Sequence, residues 1–235
     1  MKVVDFKRFS ADETATWKKL FTGQDAKRDE QIVPQFSKGL KLLGMTCDSI
    51  PDISDVNNRL RKITGWQAVP VEGLEEGDSF YPMLAEKRFP VGNFIRDAQD
   101  LAYTPAPDVF HDLYGHVPFY TDKAYSEFCE AYGKRATKYA NDPDKLRQWE
   151  RLFWFTVEFG LIKTESGIQI FGAGIASSIG ECEYALSGKP EVLPFNLELI
   201  RDQEFDITIM QDRLFLLENT DQLYGCLDQF ESILI

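Results

Sequence analysis

A chain of 235 residues with 43% hydrophobic and 13% aromatic side chains can bury a sizeable core and is most simply one domain. Its formal net charge of −12 argues against nucleic acid and anionic membranes as partners, because both select basic surfaces and no Lys/Arg cluster stands against the balance. The N-terminus carries charges where a secretory leader needs an apolar run, and no stretch approaches a membrane span, so a soluble cytoplasmic protein is expected.

In chain order, residues 12–43 predict two helices, the second bearing Ile32, Val33, Phe36, Leu40 and Leu43 at helical spacing. A third helix opens near Ile50-Pro-Asp-Ile-Ser-Asp, with Asp52 or Ser54 as cap and Thr64-Gly65 as its end. Trp66 to Val71 reads as a short strand, followed by a loop at Gly73 and Gly77, a helix over Asp78 to Glu86, and an extended run from Phe89 to Phe94. Thr104-Pro105 is a helix start, with Thr as cap and Pro in the first turn. Helices are expected over residues 121–140 and, after Asn141-Asp-Pro-Asp, through Trp149, Leu152, Phe153, Phe155 and Phe159 toward Gly160. Ile168 to Phe171 predicts a strand, and Gly172 to Gly180 a small-residue turn entering a helix through Glu181 to Leu186. Phe205 to Ile209 and Leu214 to Leu217 look like a final strand pair, and Thr220 to Leu234 like a terminal helix. The fold class is mostly α with small β elements. Cys47, Cys129, Cys182 and Cys226 are scattered without a CxxC pair and read as buried reduced thiols.

Both histidines of the chain, His111 and His116, fall within Pro107-Asp-Val-Phe-His-Asp-Leu-Tyr-Gly-His-Val-Pro118. Neutral imidazole is the commonest protein ligand for divalent transition metals, although two histidines on a partly apolar helix also suit a core or surface role. A spacing of five lacks the zinc-protease pattern and puts the side chains about 140° apart on a straight α-helix. A shared ion therefore requires a helix end or irregularity, which Gly115 and Pro118 can supply. Glu158 stands in the otherwise apolar Trp154-Phe-Thr-Val-Glu-Phe-Gly-Leu and is costly to bury without a partner. That partner is either a cation shared with the histidines, giving the ligand set of a non-haem Fe(II) oxygenase, or an arginine such as Arg96 or Arg151. The glycines near 172–180 match neither a P-loop nor a dinucleotide fingerprint.

Three stretches carry a more specific signal. Tyr103 to Pro118, Phe153-Trp-Phe-Thr-Val-Glu-Phe-Gly-Leu161 and Phe171-Gly-Ala-Gly-Ile-Ala-Ser-Ser-Ile-Gly-Glu181 closely resemble, in order, the motifs of the pterin-dependent aromatic amino acid hydroxylases. A looser likeness runs from Trp17 through Thr64-Gly-Trp-Gln-Ala-Val-Pro-Val-Glu-Gly73 to the last strand. The resemblance implies a single catalytic domain over 1–235 of the compact bacterial type, a monomer without regulatory or tetramerisation segments.

It also implies a site. His111, His116 and Glu158 match iron ligands, with no catalytic side chain beyond them; Val71, Gly73, Leu74, Phe80 and Asp112 match contacts to tetrahydropterin, tetrahydrobiopterin or a related compound. Arg96, with Thr104 and Ser177, matches a clamp on the substrate carboxylate, and Trp154, Phe159 and Pro105 line the amino acid pocket. Taken alone, Phe80 reads as a core aromatic and Arg96 as a surface arginine. Asp112 stands where animal members carry Glu, and Met210-Gln-Asp-Arg replaces a common Gln-Pro-Leu-Tyr run. Trp154 and the apolar Ile207 favour phenylalanine, with dioxygen as co-substrate; tryptophan, or another ring position, is the alternative. A non-catalytic metal- or pterin-binding protein is a second class of reading, and zinc hydrolysis lacks its glutamate.

Overall fold

A computed structural model describes residues 3–73, 77–99, 101 and 107–235. The first helix, Ala11–Asp25, starts on a complete capping box in which Ser10 and Glu13 satisfy each other's backbone N–H groups. It buries Trp17, Leu20 and Phe21. Pro34 then opens the helix Pro34–Leu43, which buries Phe36, Leu40 and Leu43. Of the two helices expected here, the second leaves out Ile32 and Val33. Ile32 instead bridges Ile170 in parallel, and Val33 is the extended N-cap before the proline. Asp52 caps Ile53–Ile63 as expected, and Gly65, at φ +82°, turns the chain out of it into the first strand.

That strand, β1 (Gln67–Val71), pairs in parallel with β2 (Arg88–Gly92), with the helix Gly77–Ala85 as the crossover between them. A second sheet has the order β4-β3-β6-β5, formed by β3 (Leu161–Thr164), β4 (Gly167–Ile170), β5 (Glu191–Pro194) and β6 (Arg213–Leu217). Thus β6 is a strand as expected, but its partners are β3 and β5 and not the 205–209 run. That run is a loop, because the Asp206 carboxylate accepts from Thr208 N–H at 2.8 Å and the Thr208 hydroxyl at 2.7 Å, closing an Asx turn. The terminal helix is two short ones, Thr220–Tyr224 and Leu227–Ser232. Among the described residues no helix is long and apolar enough to cross a membrane.

Aromatic rings fill the interior beneath the histidine stretch. Phe110 stacks on Tyr114 (4.4 Å between centroids), Trp17 meets Phe110 edge-on at 5.1 Å, and Phe36 meets Tyr114 at 5.2 Å. Burying such side chains stabilises the fold by about 1.5–3 kcal/mol each. It also fixes which side of the stretch faces inward, so that His111 and Asp112 look toward the opposite side, where a cavity lies.

Candidate metal centre and its cavity

The residues Phe110–His116 form a π-helix, in which Val117 N–H bonds to the Asp112 carbonyl five residues back. Such i→i+5 bonding widens the turn and brings residues five apart closer to one face than a straight α-helix does. This resolves the geometry that a straight α-helix forbids. His111 Nε2 and His116 Nε2 lie 3.1 Å apart. The expected irregularity exists, but it is the π-turn itself; Pro118 opens the 3-10 turn Val117–Thr121 that follows. A second π-helix, Trp154–Glu158, ends Pro143–Phe153 with a bond from Phe159 N–H to the Trp154 carbonyl at 2.8 Å. It delivers Glu158, whose Oε1 is 2.9 Å from His116 Nε2 and Oε2 3.7 Å from His111 Nε2.

Neither arginine offered as an alternative partner reaches Glu158. Arg96 is held by Asp108, with Nε at 2.8 Å from Oδ2 and Nη2 at 2.9 Å from Oδ1, while Arg151 bonds Glu204 and the Arg201 carbonyl. The fit to a metal can be tested on these atoms. Cis donors about 2.1 Å from a shared ion stand roughly 3 Å apart, and the 2.9 and 3.1 Å separations match that edge. Protonation argues the same way. Burial, with His116 and Arg96 adding to it, lowers His111 to about 4, so its ring is neutral at physiological pH. Burial alone would raise Glu158, but His116 and then His111 bring it below its ordinary value. The His111 lone pair and the ionised Glu158 carboxylate, with the His116 ring beside them, form a group that can hold a divalent cation, and the described residues contain one such group.

Neighbours orient these ligands. The Ser177 hydroxyl donates to the Gly174 carbonyl at 3.0 Å, so it accepts from His111 Nδ1–H, also at 3.0 Å, which turns the Nε2 lone pair toward the centre. Phe89 stacks on His116 at 4.7 Å, and His116 is 1% exposed. The Asp112 carboxylate accepts from Gly92 N–H at 2.6 Å; burial, with Asp108 and Glu158 nearby, pushes it well above the usual carboxylate range.

His111, His116 and Glu158 lie together on the wall of a cavity of about 540 Å³. Val71, Gly73, Phe80, Asp112 and Trp154 line it. Phe159 lies behind Trp154 at 4.5 Å, and Arg96 and Ser177 are buried behind the wall. Leu74, Thr104 and Pro105, and with them the expected helix start, lie outside the described residues. Ile207 is exposed. Sequence reasoning missed Phe205 and Glu150 on the wall and Asp108 behind it. For Asp108 a signal existed, an acid three residues before His111 with Arg96 twelve residues upstream to match; nothing marked the other two.

A mostly helical fold around a facial set of two imidazoles and one carboxylate, opening into an aromatic-walled cavity, defines a non-haem metal oxygenase of the aromatic-substrate type. Comparison with known proteins narrows the class. The model of the biopterin-dependent aromatic amino acid hydroxylases matches residues 2–234, and the chain belongs to that family. It is 39% identical over 218 residues to the phenylalanine-4-hydroxylase of Chromobacterium violaceum, covering 92% of this chain and 73% of that protein. A crystal structure of the same bacterium's enzyme, with bound iron(III) and 7,8-dihydrobiopterin, superposes with a TM-score of 0.89 at 39% identity over 93% of this chain and 80% of that one. The phenylalanine hydroxylase of Legionella pneumophila gives 0.90 at 35% identity, over 96% and 90% of the two chains.

Proposed function

We propose that this chain hydroxylates the ring of free L-phenylalanine to give L-tyrosine, using dioxygen, Fe(II) held by His111, His116 and Glu158, and a tetrahydropterin such as tetrahydrobiopterin. The observation that carries the reading is the meeting of those three side chains on the wall of an aromatic-lined cavity. When bound, iron and reduced pterin together supply the electrons and open coordination that triplet dioxygen needs.

The chain's own part is positioning and exclusion of water. Ser177 holds the His111 ring so that Nε2 is the ligand atom. Phe80 offers a ring face to a flat heterocycle, and Val71 at the end of β1 and Gly73 just after it offer backbone groups beside it. Asp112, tied to Gly92 N–H, completes that wall. Trp154, backed by Phe159, receives the substrate ring. Arg96, already oriented by Asp108, is the cation offered to the substrate carboxylate. The protein works as a monomer in the cytoplasm on this reading.

The test is product analysis with Fe(II), a tetrahydropterin and each aromatic amino acid. Tyrosine from phenylalanine, with matching oxygen uptake, is expected; a hydroxylated tryptophan as main product would move the substrate assignment. Glu158→Ala and His111→Ala should lose iron and turnover while keeping the helical circular dichroism, and full turnover in either would remove the metal assignment. Activity with zinc and without pterin would overturn the whole reading.

A further inference from the structure

One buried amide folds the 205–211 segment against the cavity wall. Gln211 is 6% exposed; its Nε2 donates to the Asp206 and Ile209 carbonyls, each at 2.8 Å, and its Oε1 accepts from Trp154 Nε1–H at 3.1 Å. Two carbonyls require a donor and an indole N–H requires an acceptor, so only one orientation of the amide satisfies all three. On Trp154 the ring of Phe205 lies nearly parallel, 4.5 Å away at 13°, and the Arg147 guanidinium covers Phe205 at 4.1 Å from its centroid. Trp154 and Phe205 line the cavity, whereas Gln211 stands behind them.

An indole packed only by its faces can slide in its own plane; a hydrogen bond at its edge removes that freedom. We infer that Gln211 is a positioning residue that locks Trp154 and the Phe205 segment in register, and that this lock sets the selectivity among aromatic amino acids. The inference deepens the hydroxylase reading and rests on it. Selectivity follows because pockets separate substrates differing by a small group only 10–200-fold, so a slight displacement of the wall erases the difference.

The experiment uses the iron-loaded full chain with Gln211→Leu, which removes all three bonds at similar volume, and Gln211→Glu, which keeps the acceptor for the indole. Gln211→Leu should raise the phenylalanine KM, and the Kd measured calorimetrically without dioxygen, about tenfold, the size of one buried hydrogen bond. The tetrahydropterin KM and kcat should stay within about twofold, and the preference for phenylalanine over tryptophan should fall about tenfold. Gln211→Glu should retain most of the preference. Trp154→Phe should reproduce the part of the defect carried by the indole bond, and adding Gln211→Leu to it should cost clearly less than Gln211→Leu does alone. A lower Tm or kcat with KM, Kd and preference unchanged, or additive effects in the double variant, would overturn the inference. If Gln211→Leu does not fold, Gln211→Met, which also removes all three bonds at similar volume, carries the same comparison. If the parent chain gives no hydroxylated product, the hydroxylase reading fails, while the anaerobic Kd difference still judges Gln211.

Discussion

The Ser177 hydroxyl sits 3.0 Å from His111 Nδ1 and spends its only hydrogen on the Gly174 carbonyl. The short helix Ala173–Ala176 therefore dictates which imidazole nitrogen faces Glu158. Ser177→Ala removes the acceptor without adding bulk. We expect iron affinity to fall roughly 10–100-fold, the usual cost of losing a partner behind a metal-bound histidine. Competition with a chelator checks this, and unchanged affinity would show that the hydroxyl orients nothing.

Asp108 lies behind the site and serves two groups at once. It takes Arg96 N–H and Nε at 2.8 Å on one oxygen, and Arg96 Nη2 and His111 N–H at 2.9 Å on the other. Burial would raise its carboxyl, but Arg96 brings it below its ordinary value, so it is ionised and compensates a guanidinium that is 5% exposed. Asp108→Asn leaves that cation without its counter-charge. A loss of about 3–5 kcal/mol in unfolding free energy is expected by denaturant titration, as for other broken buried pairs. Arg96→Lys keeps the charge but loses the two-pronged hold on Asp108, so it should cost some stability and also raise the phenylalanine KM; an unchanged KM would count against its proposed role.

Much of this was legible from residues alone, for identifiable reasons. Asp52 and Gly65 mark the ends of Ile53–Ile63 because capping and a left-handed turn are local needs. Glu158 stood out because its neighbours are apolar, and the two histidines because there are no others. The π-turn was not legible, since an extra residue in a helical turn is stabilised by what packs on it, here Phe89 on His116 and Ser177 on His111. Phe205-Asp-Ile-Thr-Ile alternates like a strand, yet its hydrogen bonds go to Asp206 and Gln211 side chains, a choice that periodicity cannot show. Strands β3 and β5 have only four residues each and gain their identity from β6 between them.

Gly115 is a requirement of close approach. A Cβ there would stand 2.8 Å from the Ala173 carbonyl oxygen and 2.9 Å from Ser177 Cβ. Both belong to the segment that orients His111, so Gly115→Ala must push it outward. The expected cost is about 1–3 kcal/mol, as for other overpacked sites. In a chain of this size that lowers Tm by roughly 2–4 °C per kcal/mol. Iron affinity should fall in the same variant, because Ser177 moves with the backbone. A Gly115→Ala protein with parental Tm and parental iron affinity would show that the two helices have slack between them.

The thiols should separate by reactivity. Burial pushes Cys129, Cys182 and Cys226 up to about 12, so at pH 8 their thiolate fraction is negligible. All four cysteines are free, as the sequence suggested, but Cys47 is only partly buried, in contrast to the expectation that all four would be enclosed. A thiol reagent in excess at pH 8 should therefore label about one group rapidly, by way of the thiolate, and the remainder only on unfolding. Cys47→Ser should abolish the fast phase and leave stability within about 0.5 kcal/mol, as for most surface changes. Rapid labelling of more than one thiol in the folded protein would mean that the core around Cys129, between Tyr120 and Tyr125, opens far more readily than its packing implies.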